Sequence, residues 1–92
     1  MPKFEAVNGD KVGTGLIIAT GAPATSYGLP IALDGDPVTA HGLAPHAAAT
    51  IIASQTAYKV NGKNVCRIGD MATCGDTISA GPGNLLTVLV GP

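Results

Sequence analysis

Residues 35–46 read G-D-P-V-T-A-H-G-L-A-P-H, and residues 60–74 read V-N-G-K-N-V-C-R-I-G-D-M-A-T-C. The first stretch holds both histidines of the chain, His41 and His46, and the second holds both cysteines, Cys66 and Cys74. Asn61-Gly62 supplies the two positive φ values of a type I′ turn, so antiparallel strands are expected over residues 57–60 and 64–68. Gly35-Asp36 and Gly69-Asp70 punctuate the ends of such strands, where Asp accepts backbone N–H groups in an Asx-type turn. That structural role is preferred for Asp10, Asp36 and Asp70 over a catalytic or Ca²⁺-binding one.

Working outward, a third pair, Gly9-Asp10, precedes the other two. Each is followed by a β-branched stretch and a turn of small residues: Ile18-Ala19-Thr20-Gly21, Ile52-Ala53-Ser54-Gln55 and Ile78-Ser79-Ala80-Gly81. Aligned so, the Asp-to-Ile spacing is 8, 16 and 8 residues. Ten residues further on, Gly28-Leu29-Pro30-Ile31 matches Gly62-Lys63-Asn64-Val65, and the third copy reaches Val88. The chain therefore reads as three related units, the middle one enlarged by eight residues that carry both histidines. Units that cannot each bury a face alone close around a pseudo-threefold axis. Three hairpin-like units converging at one end make a small all-β cone or pyramid spanning residues 1–92 as one domain. Gly or Pro interrupts almost every window long enough for three helical turns. The exception is residues 44–57, rich in Ala, where Thr50, Ile51 and Ile52 favour a strand over a short helix.

With 92 residues and 3% aromatics, the core must be thin layers of Ile, Val, Leu and Ala. Small domains of this kind often need a staple, such as a disulfide, a metal or a partner. A net charge of −1 with 12% charged residues argues against nucleic acid, whose phosphates demand a Lys/Arg surplus. So little charge suggests instead that much of the surface meets another protein. The segment Met1-Pro2-Lys3-Phe4-Glu5 has no apolar core of a signal peptide, and the apolar runs fall far short of the ~20 residues of a spanning helix. The expectation is synthesis in the cytoplasm, with any exit provided by a machine or by lysis.

His41, His46, Cys66 and Cys74 form a Cys₂His₂ set, for which tetrahedral Zn²⁺ is the usual metal and iron the alternative. Their order, His-x₄-His then Cys-x₇-Cys, is not that of a zinc finger or ribbon. What favours a site is economy, since every His and Cys of the chain falls within 34 residues. The other readings are surface histidines, a buried Cys acting as a small hydrophobe, or a Cys66–Cys74 disulfide. No catalytic constellation stands out. A thiolate tied to metal is not a free nucleophile, no substrate cleft is implied, and Gly13-x-Gly15 lacks the Lys and helix of a phosphate loop. A small metal- or thiol-dependent enzyme or toxin domain, or a metal-free structural β module, are the alternatives to a metal-stapled structural protein.

Residues 35–42, 60–70 and 72–76 resemble the PAAR-repeat family, and the resemblance extends from about residue 8 to residue 90. It implies a sharpened cone capping the trimeric β-helical spike of a contractile injection machine. Such machines include phage tails, tailocins, extracellular injection systems and type VI secretion. It further implies one tip monomer per spike trimer, transient passage through a target membrane, and no small-molecule substrate. A metal, usually zinc, is implied near the vertex through His and Cys. The family pattern supports His41 and Cys74 as ligands directly. Cys66 falls where some phage-type relatives carry a His. His46 matches no motif position and enters the set from residue type and proximity. Residues 85–90 are expected to form either core strand or part of an apolar docking base.

Overall fold

The three Gly-Asp turns set the architecture. In this computed structural model, which describes residues 3–22, 24–26, 28–39, 42, 48–56, 58–81, 83–84 and 89–90, each Asp folds its carboxylate back on its own turn. Asp10 Oδ2 accepts the Val7 amide, Asp36 Oδ2 the Leu33 amide and Asp70 Oδ2 the Arg67 amide, at 2.8–2.9 Å. In return the Asp amides donate to the carbonyls of Val7, Leu33 and Arg67. All three carboxylates are buried, so the Asx-turn reading holds in every unit.

Just before each turn, one residue per unit closes a triangle on the axis. The Ala6 amide donates to the Cys66 carbonyl, Cys66 to Ala32, and Ala32 to Ala6, each at 3.0 Å. Ala6, Ala32 and Cys66 are 0% exposed. Three backbones meeting this closely leave room only for small side chains, which is why Ala, Ala and Cys stand here.

On one side of the triangle lies a closed ring of six short antiparallel segments. β2 (Lys11–Val12) pairs with β3 (Gly15–Leu16), which continues to the bridge Ile17↔Val38. The bridges Pro37↔Thr50, Ile51↔Ala72 and Met71↔Thr77 carry the ring on, and β8 (Ile78–Ser79) returns it to β2. Closure leaves no unpaired edge. Side chains alternate with period two. Val12, Ile17, Val38, Ile51, Ala72 and Ile78 point inward and form one core with the axial triangle. On the other side stand three antiparallel pairs: β4 (Thr25–Ser26) with β5 (Leu29–Pro30), β6 (Lys59–Val60) with β7 (Lys63–Asn64), and β1 (Lys3–Phe4) with β9 (Leu89–Val90). Ile31, Leu33, Val65 and Val90 make a second, smaller core there. The third pair joins the two ends of the chain, so the circle of units is closed by hydrogen bonds where the other two junctions are covalent.

The expected β architecture with pseudo-threefold symmetry is thus present. The unit alignment shifts by one residue, however. The isoleucines whose amides bond the Asp carbonyls are Ile17, Ile51 and Ile78, so the spacings are 7, 15 and 8. Relative to the first unit, the second is longer by eight residues and the third by one. A one-residue slip exchanges the two faces of a strand, and Ile18 and Ile52 accordingly face outward while Ile78 is buried. Thr50, Ile51 and Ile52 are extended, as their β-branching favours. Residues 43–47 and 57 lie outside the described residues, as do 85–88. Of the terminal apolar run, Val90 belongs to the second core.

Asn61 (φ 53°) and Gly62 (φ 79°) form the type I′ turn between β6 and β7. Space is open around Gly62, so Gly62→Ala meets only backbone strain. The expected loss is about 1 kcal/mol, read as a melting temperature lower by roughly 4–8 °C.

Candidate metal centre and seam bonds

The roots of the second-unit insertion and of the third-unit loop run side by side on the six-segment ring. The insertion of the second unit leaves at Thr39 and returns at Ala49, its root tied by the Val38 amide on the Ala49 carbonyl at 3.1 Å. Beside it runs the loop of the third unit. The Thr73 amide donates to the Thr50 carbonyl at 2.8 Å, and the Thr50 amide donates to Thr73 Oγ1 at 3.1 Å. Cys74 is the next residue. Its loop turns tightly, with the Ala72 amide on the Asp76 carbonyl, the Gly75 amide on the Ala72 carbonyl, and the Cys74 thiol donating to Asp76 Oδ2 at 3.6 Å. Cys74 is half-buried and packs against the larger core, to which Cys66 also belongs.

His41 and His46 lie outside the described residues. The root of their loop is nevertheless fixed one hydrogen-bonded step from Cys74. Neither Cys66 nor Cys74 is in a disulfide. Burial, reinforced by the carboxylates of Asp70, Asp34 and Asp36, pushes the Cys66 thiol far up. Without a neighbouring cation Cys66 is therefore a neutral thiol at pH 7. It should resist iodoacetamide in the folded protein and react only on unfolding, a contrast readable by mass spectrometry of peptides labelled with and without denaturant. Among the described residues no three His, Cys, Asp or Glu side chains cluster as a metal group.

The seams between units carry a set of polar residues that the sequence patterns did not single out. Thr20 donates its amide (2.9 Å) and hydroxyl to Asp36 of the next unit. Ser54 does the same to Asp70, with its amide at 3.3 Å and its hydroxyl on Oδ1. In the third seam the equivalent residue is Gly81, because a Cβ there would run into the Gly9 carbonyl. Its amide reaches Asp10 Oδ1 at 2.8 Å, and Asn84 Nδ2 supplies the missing second donor to Asp10 Oδ2 at 2.9 Å. The signal for Thr20 and Ser54 was present, since each is a hydroxyl residue sixteen positions before the next unit's Asp. Arg67 is also buried and bonds the Val90 carbonyl (3.1 Å) and Ser54 Oγ (2.8 Å), tying the last strand to the middle unit.

Three units closed head to tail, each opened by a Gly-Asp turn, meet one family pattern. Residues 8–80 match the model of the PAAR motif. The chain belongs to the PAAR-motif family. The match begins before the first Gly-Asp turn and ends at the third seam, so it takes in all three Gly-Asp turns. PAAR-motif proteins are structural spike-tip components of contractile injection systems, and binding a metal is a general property of the family. No curated protein matches the chain significantly. Among the described residues no helix is long and apolar enough to cross a membrane.

Proposed function

We propose that this PAAR-motif protein is the metal-stabilised tip that caps a trimeric β-helical spike and helps it pierce a target envelope. It acts without catalysis and without nucleic acid. One observation carries the reading: a single chain presents three hairpin-like pairs, β4–β5, β6–β7 and β9–β1, around one axis. A monomer built this way can sit on a true threefold partner without a symmetry clash. The opposite end, bearing the enlarged loops, would then lead into the membrane and be ejected with the spike.

Zinc is the metal best matched to the donor set, held by His41, His46, Cys66 and Cys74. Bound there, it would cross-link the loops of the second and third units where few side chains are available for a core. Single variants test the set by metal analysis. His41→Ala, His46→Ala, Cys66→Ala and Cys74→Ser are each expected to retain well under one equivalent of zinc. A variant that keeps a full equivalent removes its residue from the set; for Cys66 that would leave a third small axial side chain beside Ala6 and Ala32. The capping role is tested by co-expression with a trimeric β-helical spike protein of a contractile injection system and native mass spectrometry. One tip per three spike chains is expected, and absence of a complex, or one tip per spike chain, would overturn it.

A further inference from the structure

The chain contains two Asn-Gly dipeptides, Asn8-Gly9 and Asn61-Gly62, and the fold treats them oppositely. Chemically they are equals. With no Cβ on the following residue, the glycine amide nitrogen can approach the asparagine carboxamide carbon. That approach closes a five-membered ring, so an Asn-Gly pair can modify itself.

At Asn8-Gly9 the reacting groups are engaged. The Gly9 amide, which would be the nucleophile, donates to the Ile17 carbonyl at 3.0 Å. Asn8 Oδ1 accepts the Ala19 amide at 2.9 Å, and the Asn8 amide donates to the Pro30 carbonyl at 2.9 Å. At Asn61-Gly62 both residues are exposed. Among the described residues the Gly62 amide donates no hydrogen bond, and no atom lies within 4 Å of where a Gly62 Cβ would stand. Asn61 Nδ2 donates to the Gly21 carbonyl at 3.4 Å and to the Ala22 carbonyl at 3.3 Å, both long for such bonds. The dipeptide is the tip of a two-residue loop between two-residue strands, an element that opens locally while both cores stay packed.

We propose that Asn61 is a site of spontaneous deamidation and isomerisation, and that its conversion uncouples the β6–β7 turn from the first unit. The Gly62 nitrogen loses its proton to solvent base and bonds to Asn61 Cγ. The carboxamide nitrogen leaves as ammonia, and a succinimide remains. Water then opens the ring. Attack at Cγ gives aspartate, and attack at the Asn61 main-chain carbonyl gives isoaspartate, whose backbone runs through the former side chain. Either product removes the Nδ2 donor that ties the turn to Gly21 and Ala22, and in aspartate a carboxylate takes its place against those carbonyls. Isoaspartate also lengthens the backbone of a loop whose type I′ geometry depends on its two residues. The proposal stands on this hairpin alone and does not require the spike-capping reading.

The purified protein, incubated in mildly alkaline buffer either folded or in denaturant, tests it. Peptide mass spectrometry and methyl transfer by an isoaspartyl methyltransferase follow each asparagine. In denaturant the two dipeptides should convert at similar rates. In the folded protein Asn61 should convert about tenfold or more faster than Asn8, which must first break its bonds. Gly62→Ala should slow conversion at Asn61 although it strains the turn, whereas a site governed by loosening alone would convert faster. Asn61→Asp installs the aspartyl product. It should speed hydrogen exchange over residues 59–64 relative to fresh protein and leave β2 and β8 unchanged. Thermal melts confirm that both variants fold. Equal rates at Asn8 and Asn61 in the folded chain overturn the site. So does Asn61 left intact over a period in which the denatured chain converts, or a Gly62→Ala variant that converts as fast as the parent. Exchange unaltered in Asn61→Asp overturns the uncoupling.

Discussion

Asp36→Ala is expected to cost roughly 4 kcal/mol and to lower the melting temperature by roughly 15–30 °C. The reason is what the carboxylate holds. Asp36 accepts the Leu33 amide at 2.8 Å within its own unit, and the Thr20 amide at 2.9 Å and the Thr20 hydroxyl from the preceding one. Removing it strands two backbone N–H groups in or beside the core, at about 1–3 kcal/mol each, and loses the hydroxyl bond as well. Asp34→Ala is the control, because among the described residues Asp34 Oδ1 accepts one hydrogen bond, from the Ala53 amide at 2.7 Å, at a half-buried site. About 1 kcal/mol is expected there. A urea titration compares the two directly. Equal midpoints would mean that the seam carboxylates do not hold the units together.

Withdrawing the metal is expected to have an effect of similar size by a different route. Structural zinc contributes its binding free energy to folding, but the six-segment ring and the second core contain none of the four candidate ligands. We therefore expect partial loss, about 3–5 kcal/mol, and a melting temperature lower by roughly 12–40 °C on chelation. Cys74→Ser should reproduce that loss and make the protein insensitive to chelator, because serine is a poor zinc ligand. The Asp36→Ala and chelation effects should be nearly additive if the seam and the loops are independent, and less than additive if metal loss already loosens the second and third units. A purified protein with less than a third of an equivalent of any transition metal, and a melt unmoved by chelator, would sink the metal part of the proposal.

Much of the fold was legible because it is written in short-range chemistry. Asn61-Gly62 needs no neighbour to prefer its turn, and Gly-Asp pairs fold back on themselves wherever the chain allows. Their recurrence announced the units. The candidate ligands were chosen by residue type alone; His41 and His46 lie outside the described residues, and Thr73, next to Cys74, bonds Thr50 near the root of the insertion. What the patterns misjudged was register: Ile17-Ile18 and Ile51-Ile52 each offer two adjacent isoleucines, and composition cannot say which faces in. Pairing with Val38 and Ala72 decides it, and those partners belong to other units.

By itself, then, the sequence determined the turns, the threefold recurrence, the enlarged middle unit and the family. Only the tertiary structure decided that Cys66 shares a buried triangle with Ala6 and Ala32, that each seam is locked by donors from one unit on the Asp of the next, and that the third seam differs from the other two. The physical reason is range. A turn is set by the backbone preferences of a few adjacent residues, whereas the axial triangle, the seams and the outer face arise only when the circle closes. That closure brings Lys3 and Phe4 against Val90 and Leu89, positions that no local preference relates.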